Sequence, residues 1–208
     1  MVVHGRPATP ARFGAERAAV PAREPLGAGP MCWTGAPPVQ QSSGMPTDNL
    51  ERTRDYKSLT ARASRLGSAP RTPAQREQRM QELVDLLWPA LSPTGVSWLG
   101  FYIASADRGA MTLAARRDKP ACSPIGMHGA CGRCFLSREP LVVRDVRDLG
   151  ENYVACDPRD QSEVVLPCLE PDGTPWGVLD LDSFDVGAFT DADAAGLAGV
   201  LRASGLSA

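Results

Sequence analysis

Glu163-Val164-Val165-Leu166-Pro167-Cys168-Leu169, then Glu170-Pro171-Asp172-Gly173, then Trp176-Gly177-Val178-Leu179-Asp180-Leu181-Asp182, reads as two strands joined by a turn. Pro and Gly stand where a hairpin turn takes them. Side chains alternate along a strand, so Asp180 and Asp182 point to one face while Leu179 and Leu181 suit a core. If the two strands are neighbours, Glu163 reaches the face of the two aspartates. Three carboxylates that close repel one another and raise one another's pKa, so the cluster calls for a positive guest. The bland alternative is that both aspartates sit at a strand end in water.

Outward from this hairpin the chain is equally readable. Val96 to Ile103 is aromatic and β-branched and reads as a strand. Asp107-Arg108-Gly109 is a turn, and Met111 to Arg116 its partner strand. Pro120 to Ile125 is short and extended, and Pro140 to Val143 is another short strand. A glycine-rich loop, Gly126 to Gly132, leads into a short helix ending near Ser137, and Asp145 to Pro158 is mostly irregular. Thr72-Pro73 opens a helix, with Thr as N-cap and Pro in the first turn. Met80, Leu83, Val84, Leu87, Trp88 and Leu91 give it one apolar face, and Pro93 and Gly95 end it. A weaker helical pattern precedes it between Thr47 and Arg71. Thr190 caps a final helix, with Asp193 completing a capping box. The expected fold class is α+β: a central antiparallel β-sheet flanked by helices.

Residues 1–46 differ from the rest, with eight Pro, eight Ala, six Gly and no sustained apolar period. Such a segment cannot offset its ordering entropy and is expected to be a disordered extension. Met45 is a candidate true start, and residues 47–208 form the expected domain. Net charge is −2, which argues against nucleic acid and anionic membrane as partners. No apolar run approaches the ~20 residues of a membrane helix, and no secretory leader is visible, so a cytoplasmic protein is expected. Six cysteines without such a leader point to redox or metal chemistry rather than a disulfide framework.

Five of those cysteines lie between Pro120 and Asp182. Cys156 stands in a loop-like stretch with Arg159 close by, and a nearby cation favours the reactive thiolate. Cys131 stands just before the short helix, whose N-terminus also lowers a thiol pKa. Cys131-Gly132-Arg133-Cys134 is a C-x-x-C without the strand–helix context of a thioredoxin motif. Structural zinc sites show two close pairs, and this chain has one, so no metal and no cofactor is expected. Cys168, among Val164, Val165, Leu166 and Leu169, reads as a small buried hydrophobe. Trp98 and Tyr102 share a strand face, either as core or as one wall of a pocket for a thioether-like group.

Trp98-Leu99-Gly100-Phe101-Tyr102, Pro120-Ala121-Cys122, Gly129-Ala130-Cys131-Gly132, Ala155-Cys156-Asp157, Ser162-Glu163-Val164-Val165-Leu166-Pro167 and Gly177-Val178-Leu179-Asp180-Leu181-Asp182-Ser183 follow in order. In these motifs, over roughly residues 50 to 204, the chain resembles the free methionine-(R)-sulfoxide reductases, which are single GAF domains. The resemblance implies a GAF-like fold and reduction of the free amino acid rather than the protein-bound residue. It implies redox cysteines at Cys122, Cys131 and Cys156, and substrate-binding residues at Trp98, Tyr102, Glu163, Asp180 and Asp182. It further implies thioredoxin or a similar dithiol as electron donor and, in many members, a homodimer. Chemically, Cys156 would attack the sulfoxide sulfur, Glu163 or Asp180 would protonate the oxygen, and Cys131 or Cys122 would close a disulfide. The roles of Cys156 and Cys131 are exchangeable on this reading. The Cys122–Cys131 segment is about one residue shorter than in typical members, and Arg133 and Cys134 replace small residues. Cys134 is therefore a further candidate for the resolving thiol. The competing reading is a non-catalytic GAF sensor of a small molecule or of redox state.

Overall fold

A computed structural model of the chain describes residues 53–152 and 156–208. The proposed extension, residues 1–46 with its alternative start, lies outside them. Within them the order is α1 (Tyr56–Ala63), α2 (Pro73–Leu91), β1 (Val96–Ala104), β2 (Ala110–Arg117), β3 (Ile125–Gly126), α3 (Ala130–Ser137), β4 (Leu141–Val143), β5 (Ser162–Leu169), β6 (Pro175–Ser183) and α4 (Asp191–Ser204). Only Ile125 and Gly126 of the stretch following Pro120 pair as a strand. A 3-10 segment, Val146–Asn152, interrupts the loop after β4.

The helix ends follow from local chemistry. Thr72 caps α2 by accepting the Gln75 N–H, with Pro73 in its first turn. Thr190 and Asp193 form a reciprocal capping box on α4. The six strands form one antiparallel sheet in the order β3-β2-β1-β6-β5-β4. The β5–β6 hairpin lies at its centre-right and β1 flanks β6 on the other side.

Strand alternation gives the sheet two unlike faces. Leu99, Phe101, Val164, Leu166, Leu179 and Leu181 face one way and pack with Leu83, Leu87, Leu197 and Leu201 of α2 and α4. Each such leucine contributes roughly 1.5–3 kcal/mol on burial, so this layer carries most of the stability. Arg79, buried on α2, donates to the carbonyls of Leu66, Ser68 and Ser204 and so ties three chain segments to this layer. The opposite face carries Trp98, Tyr102, Val165 and Val178, covered by Cys134 and Phe135 of α3 and by Val146.

Candidate active site

Alternation places the three acids on the second face. Glu163 of β5 pairs directly with Asp182 of β6, and Asp180 lies beside Val165 and Gly100. One oxygen from each carboxylate falls within 4.8 Å of the others. Gly100 is needed beneath them. A Cβ there would stand 2.5 Å from the Trp98 ring, which lies across the glycine. Trp98 is fixed in that pose by donating its indole N–H to the Lys119 carbonyl, 3.0 Å away.

The short helix α3 closes the site from above. Gly132 packs against the Met127 backbone, where a Cβ would stand 2.2 Å from the Met127 oxygen. Only glycine permits that approach, and it directs the start of α3, Gly129 to Cys131, onto the acids. Between helix and sheet is a cavity of about 510 Å³, counting the solvent at its mouth. Its wall carries Glu163, Asp180, Asp182, Tyr102, Cys131 and Cys156.

The two cavity thiols differ in surroundings. Cys156 is exposed as a residue, yet its sulfur accepts the N–H of Cys122 at 3.2 Å and lies 3.8 Å from the Tyr102 hydroxyl. That hydroxyl donates to the Cys122 carbonyl, 2.9 Å away. Burial pushes the Cys156 thiol up, while the Cys122 N–H and Tyr102 pull it back toward the thiolate. Cys131 is buried and donates its proton to Asp180 Oδ2 at 3.2 Å. Burial and the charges of Asp180 and Glu163 hold its thiol well above the usual range. The lowered thiol pKa values expected from sequence are thus corrected. At Cys131 burial and then the acids outweigh the helix N-terminus. At Cys156, Arg159 is turned to Asp157, in a pair at 2.7 Å, and the assistance comes from a backbone N–H instead.

The acids are held toward their neutral forms. Burial raises Asp180 to about 7 against the Cys131 hydrogen bond. Burial, then the Asp180 charge, raise both Glu163 and Asp182 well above the ordinary range. Asp180 Oδ1 is buried without a hydrogen-bond partner among the described residues. A buried oxygen left so is costly unless a guest supplies the donor. The oxygen spacing suits one small cationic group with several N–H donors.

The cavity thus unites Glu163, Asp180, Asp182, Tyr102, Cys131 and Cys156. Trp98 does not line it. It buttresses Tyr102 from behind, with ring centroids 6.1 Å apart. Cys122 contributes its backbone to the site, and Cys131, Cys134, Cys156 and Cys168 are free thiols. Cys134 donates to the Val165 carbonyl at 3.4 Å and is fully buried away from the cavity. Cys168 is a buried core residue, as its sequence setting indicates. The residue missed from sequence is Asp160, a fourth acid on the cavity wall. Its signal was the Asp157-Pro158-Arg159-Asp160 turn just ahead of the strand that begins Ser162-Glu163.

The family model of the GAF domain matches residues 75–203. The chain belongs to the GAF-domain family. This GAF domain is 33% identical over 112 residues to the free methionine-R-sulfoxide reductase of Saccharomyces cerevisiae, covering 52% of this chain and 62% of the relative. It is 36% identical over 106 residues to the Escherichia coli protein of the same name, covering 50% of this chain and 61% of that one. The chain therefore spans less than two thirds of the length of these curated relatives. Among solved structures, the Neisseria meningitidis free methionine-R-sulfoxide reductase in complex with its substrate superimposes with a TM-score of 0.63 at 25% identity. That match covers 72% of this chain and 86% of that one. The expected α+β GAF architecture holds. No helix among the described residues is long and apolar enough to cross a membrane.

Proposed function

We propose that this GAF domain, residues 47–208, reduces free methionine-(R)-sulfoxide to methionine at the expense of a dithiol. The observation that carries the reading is the orphaned Asp180 oxygen within a trio of acids, in one cavity with two free thiols. An acid cluster there binds the ammonium of a free amino acid. A peptide-bound residue offers a neutral amide instead, which supplies no charge to draw protons from the cluster and fewer N–H donors for the Asp180 oxygen. The names of the similar yeast and bacterial proteins agree with this substrate.

In the reaction, Cys156 attacks the sulfoxide sulfur as thiolate. The Cys122 N–H stabilises that negative sulfur. A protonated acid of the cluster, Glu163 or Asp180, delivers its proton to the sulfoxide oxygen. The oxygen then passes to the Cys156 sulfur as its bond to the substrate sulfur and the new sulfur–sulfur bond both break, so methionine departs and Cys156 is left as a sulfenic acid. The Cys131 thiol then condenses with it, forming the disulfide and releasing water. With Cys134 turned into the core, Cys131, which lines the cavity, serves as the resolving thiol. Two exchanges with an external dithiol, of the thioredoxin kind, restore both thiols. The enzyme needs no bound cofactor on this scheme, and it works in the cytoplasm as a homodimer.

The test is turnover of free methionine-(R)-sulfoxide with dithiothreitol, compared with its N-acetyl derivative. Turnover of the free compound only, lost in Cys156→Ser, is expected. Equal rates on both compounds refute the ammonium reading. No turnover with intact thiols refutes the enzyme and leaves a ligand-binding GAF sensor.

A further inference from the structure

Asp160 is the cavity acid to which the reaction above gives no role. It is 5% exposed and closes a tight turn by donating its N–H to the Asp157 carbonyl at 3.1 Å. Its Oδ1 accepts the Ser97 hydroxyl at 3.1 Å. The turn is pinned from outside. The Asp157 carboxylate takes Lys119 at 2.5 Å and Arg159 at 2.7 Å, and both cations stand over the Phe184 ring, at 4.5 and 4.4 Å. Asp160 is therefore fixed between a cationic rim and an acidic interior.

We propose that Asp160 is a positioning residue: it is the acid of this cavity that bears the standing negative charge, and that charge keeps a proton on the Glu163–Asp180–Asp182 group. The inference rests on the reductase reading for its purpose, since the retained proton is the one the sulfoxide oxygen needs.

Four carboxyl groups around one small cavity cannot all ionise, and the first to do so is the one nearest positive charge. Burial raises Asp160 only to about 6, because Lys119 and Arg159 pull against it. Asp180 stands at about 7, and Glu163 and Asp182 stand higher. Asp160 is thus the first of the four to ionise, and its charge adds to burial, and at Glu163 and Asp182 to the Asp180 charge, in opposing ionisation of the others. Among the described residues, these further groups face the cluster. Arg133 of α3 favours ionised Glu163, and Cys131 donates to Asp180. Cys156 faces Asp182, Tyr102 of β1 faces Asp180, and the Asp157 charge is answered by its own two cations.

Replacing Asp160 by Asn removes the charge and lets the cluster lose its proton at lower pH. Two readouts separate this from a merely structural role. One is the pH profile of kcat/KM for free methionine-(R)-sulfoxide. Its alkaline limb should move down by about one pH unit in Asp160→Asn, so the rate at pH 8.5 falls about tenfold more relative to pH 6 than in the parent. Asp160→Glu should restore the parent profile. The other is a carboxyl-carbon NMR titration of the substrate-free protein, labelled at Asp and Glu. The highest midpoints should move down in Asp160→Asn and in Asp160→Ser, the second variant guarding against one that fails to fold. Unmoved midpoints in either folded variant overturn the proposal even if the parent is an active reductase. A shift in midpoints with an inactive parent supports the charge role and sinks the reductase reading alone.

Discussion

Asp180→Asn puts the electrostatics of the cavity to a quantitative test. In the folded protein, burial carries the Asp180 carboxyl from its ordinary 3.8 to about 7. A raised carboxyl pKa favours the folded state most below the unfolded value, and that advantage is lost as pH rises to the folded value. Between pH 4 and 7 the unfolded chain has released this proton and the folded chain has kept it. Each pH unit in that window therefore costs the parent about 1.4 kcal/mol, and the loss levels off above 7 at about 4 kcal/mol in all. Asn cannot ionise and escapes this cost. Its oxygen still accepts the Cys131 proton, but its NH2 meets no partner, which costs about 1–3 kcal/mol at every pH. The variant should be equal to or weaker than the parent at pH 4.5 and more stable by roughly 1–3 kcal/mol at pH 8. Urea unfolding at half-unit steps from pH 4.5 to 8.5, without substrate, measures the difference. A stability difference that stays flat over this range refutes the reasoning, because Asp180 would then hold no proton at neutrality. The same variant should bind the free amino acid far more weakly.

Other outcomes follow from single contacts. Among the cysteines of the described residues, iodoacetamide at pH 8 should label Cys156 first, with Cys131, Cys134 and Cys168 labelled only on unfolding, as peptide mass spectrometry would report. Earlier labelling of Cys131 would exchange the two roles. Gly100→Ala drives a methyl into the buried Trp98 ring and should cost about 1–3 kcal/mol, read as a lower Tm with altered tryptophan fluorescence. An unchanged Tm would mean that the ring is not seated on the glycine. Arg54→Met removes the guanidinium that meets Asp193 at 2.9 Å, with both side chains nearly enclosed. Asp193 then keeps its bonds from Tyr56 and Thr190 but loses its cation, which should cost about 1–3 kcal/mol in urea unfolding, and a loss below about 0.5 kcal/mol would show the pair to be solvated.

Much of this was legible in the sequence because short-range rules governed it. Thr72, Pro73 and Thr190 set helix starts through their nearest neighbours. The two-residue period of Leu179-Asp180-Leu181-Asp182 gave both the core face and the acid face. What the sequence did not reveal was set by distant partners. Trp98 shares the face of the acids but is drawn behind them by the carbonyl of Lys119, a residue 21 positions on. The thiol of Cys131 is raised by its burial and then by Asp180, 49 positions away, against the pull of its own helix. Asp160 stands in a stretch without period, and its place on the cavity depends on Ser97 and on the clasp around Phe184.

The two-faced β5–β6 hairpin has a consequence for how such a domain can diverge. Every second position, Val164, Leu166, Leu179 and Leu181, answers to the helices. The positions between them, Glu163, Asp180 and Asp182, answer only to whatever occupies the hollow. Exchanging those three for amides or small apolar residues leaves the hydrophobic layer intact and lightens its electrostatic load. A descendant could in that way shed catalysis, keep its architecture and take a different guest, so receptors and catalysts can share one ancestral scaffold without passing through an unfolded intermediate sequence.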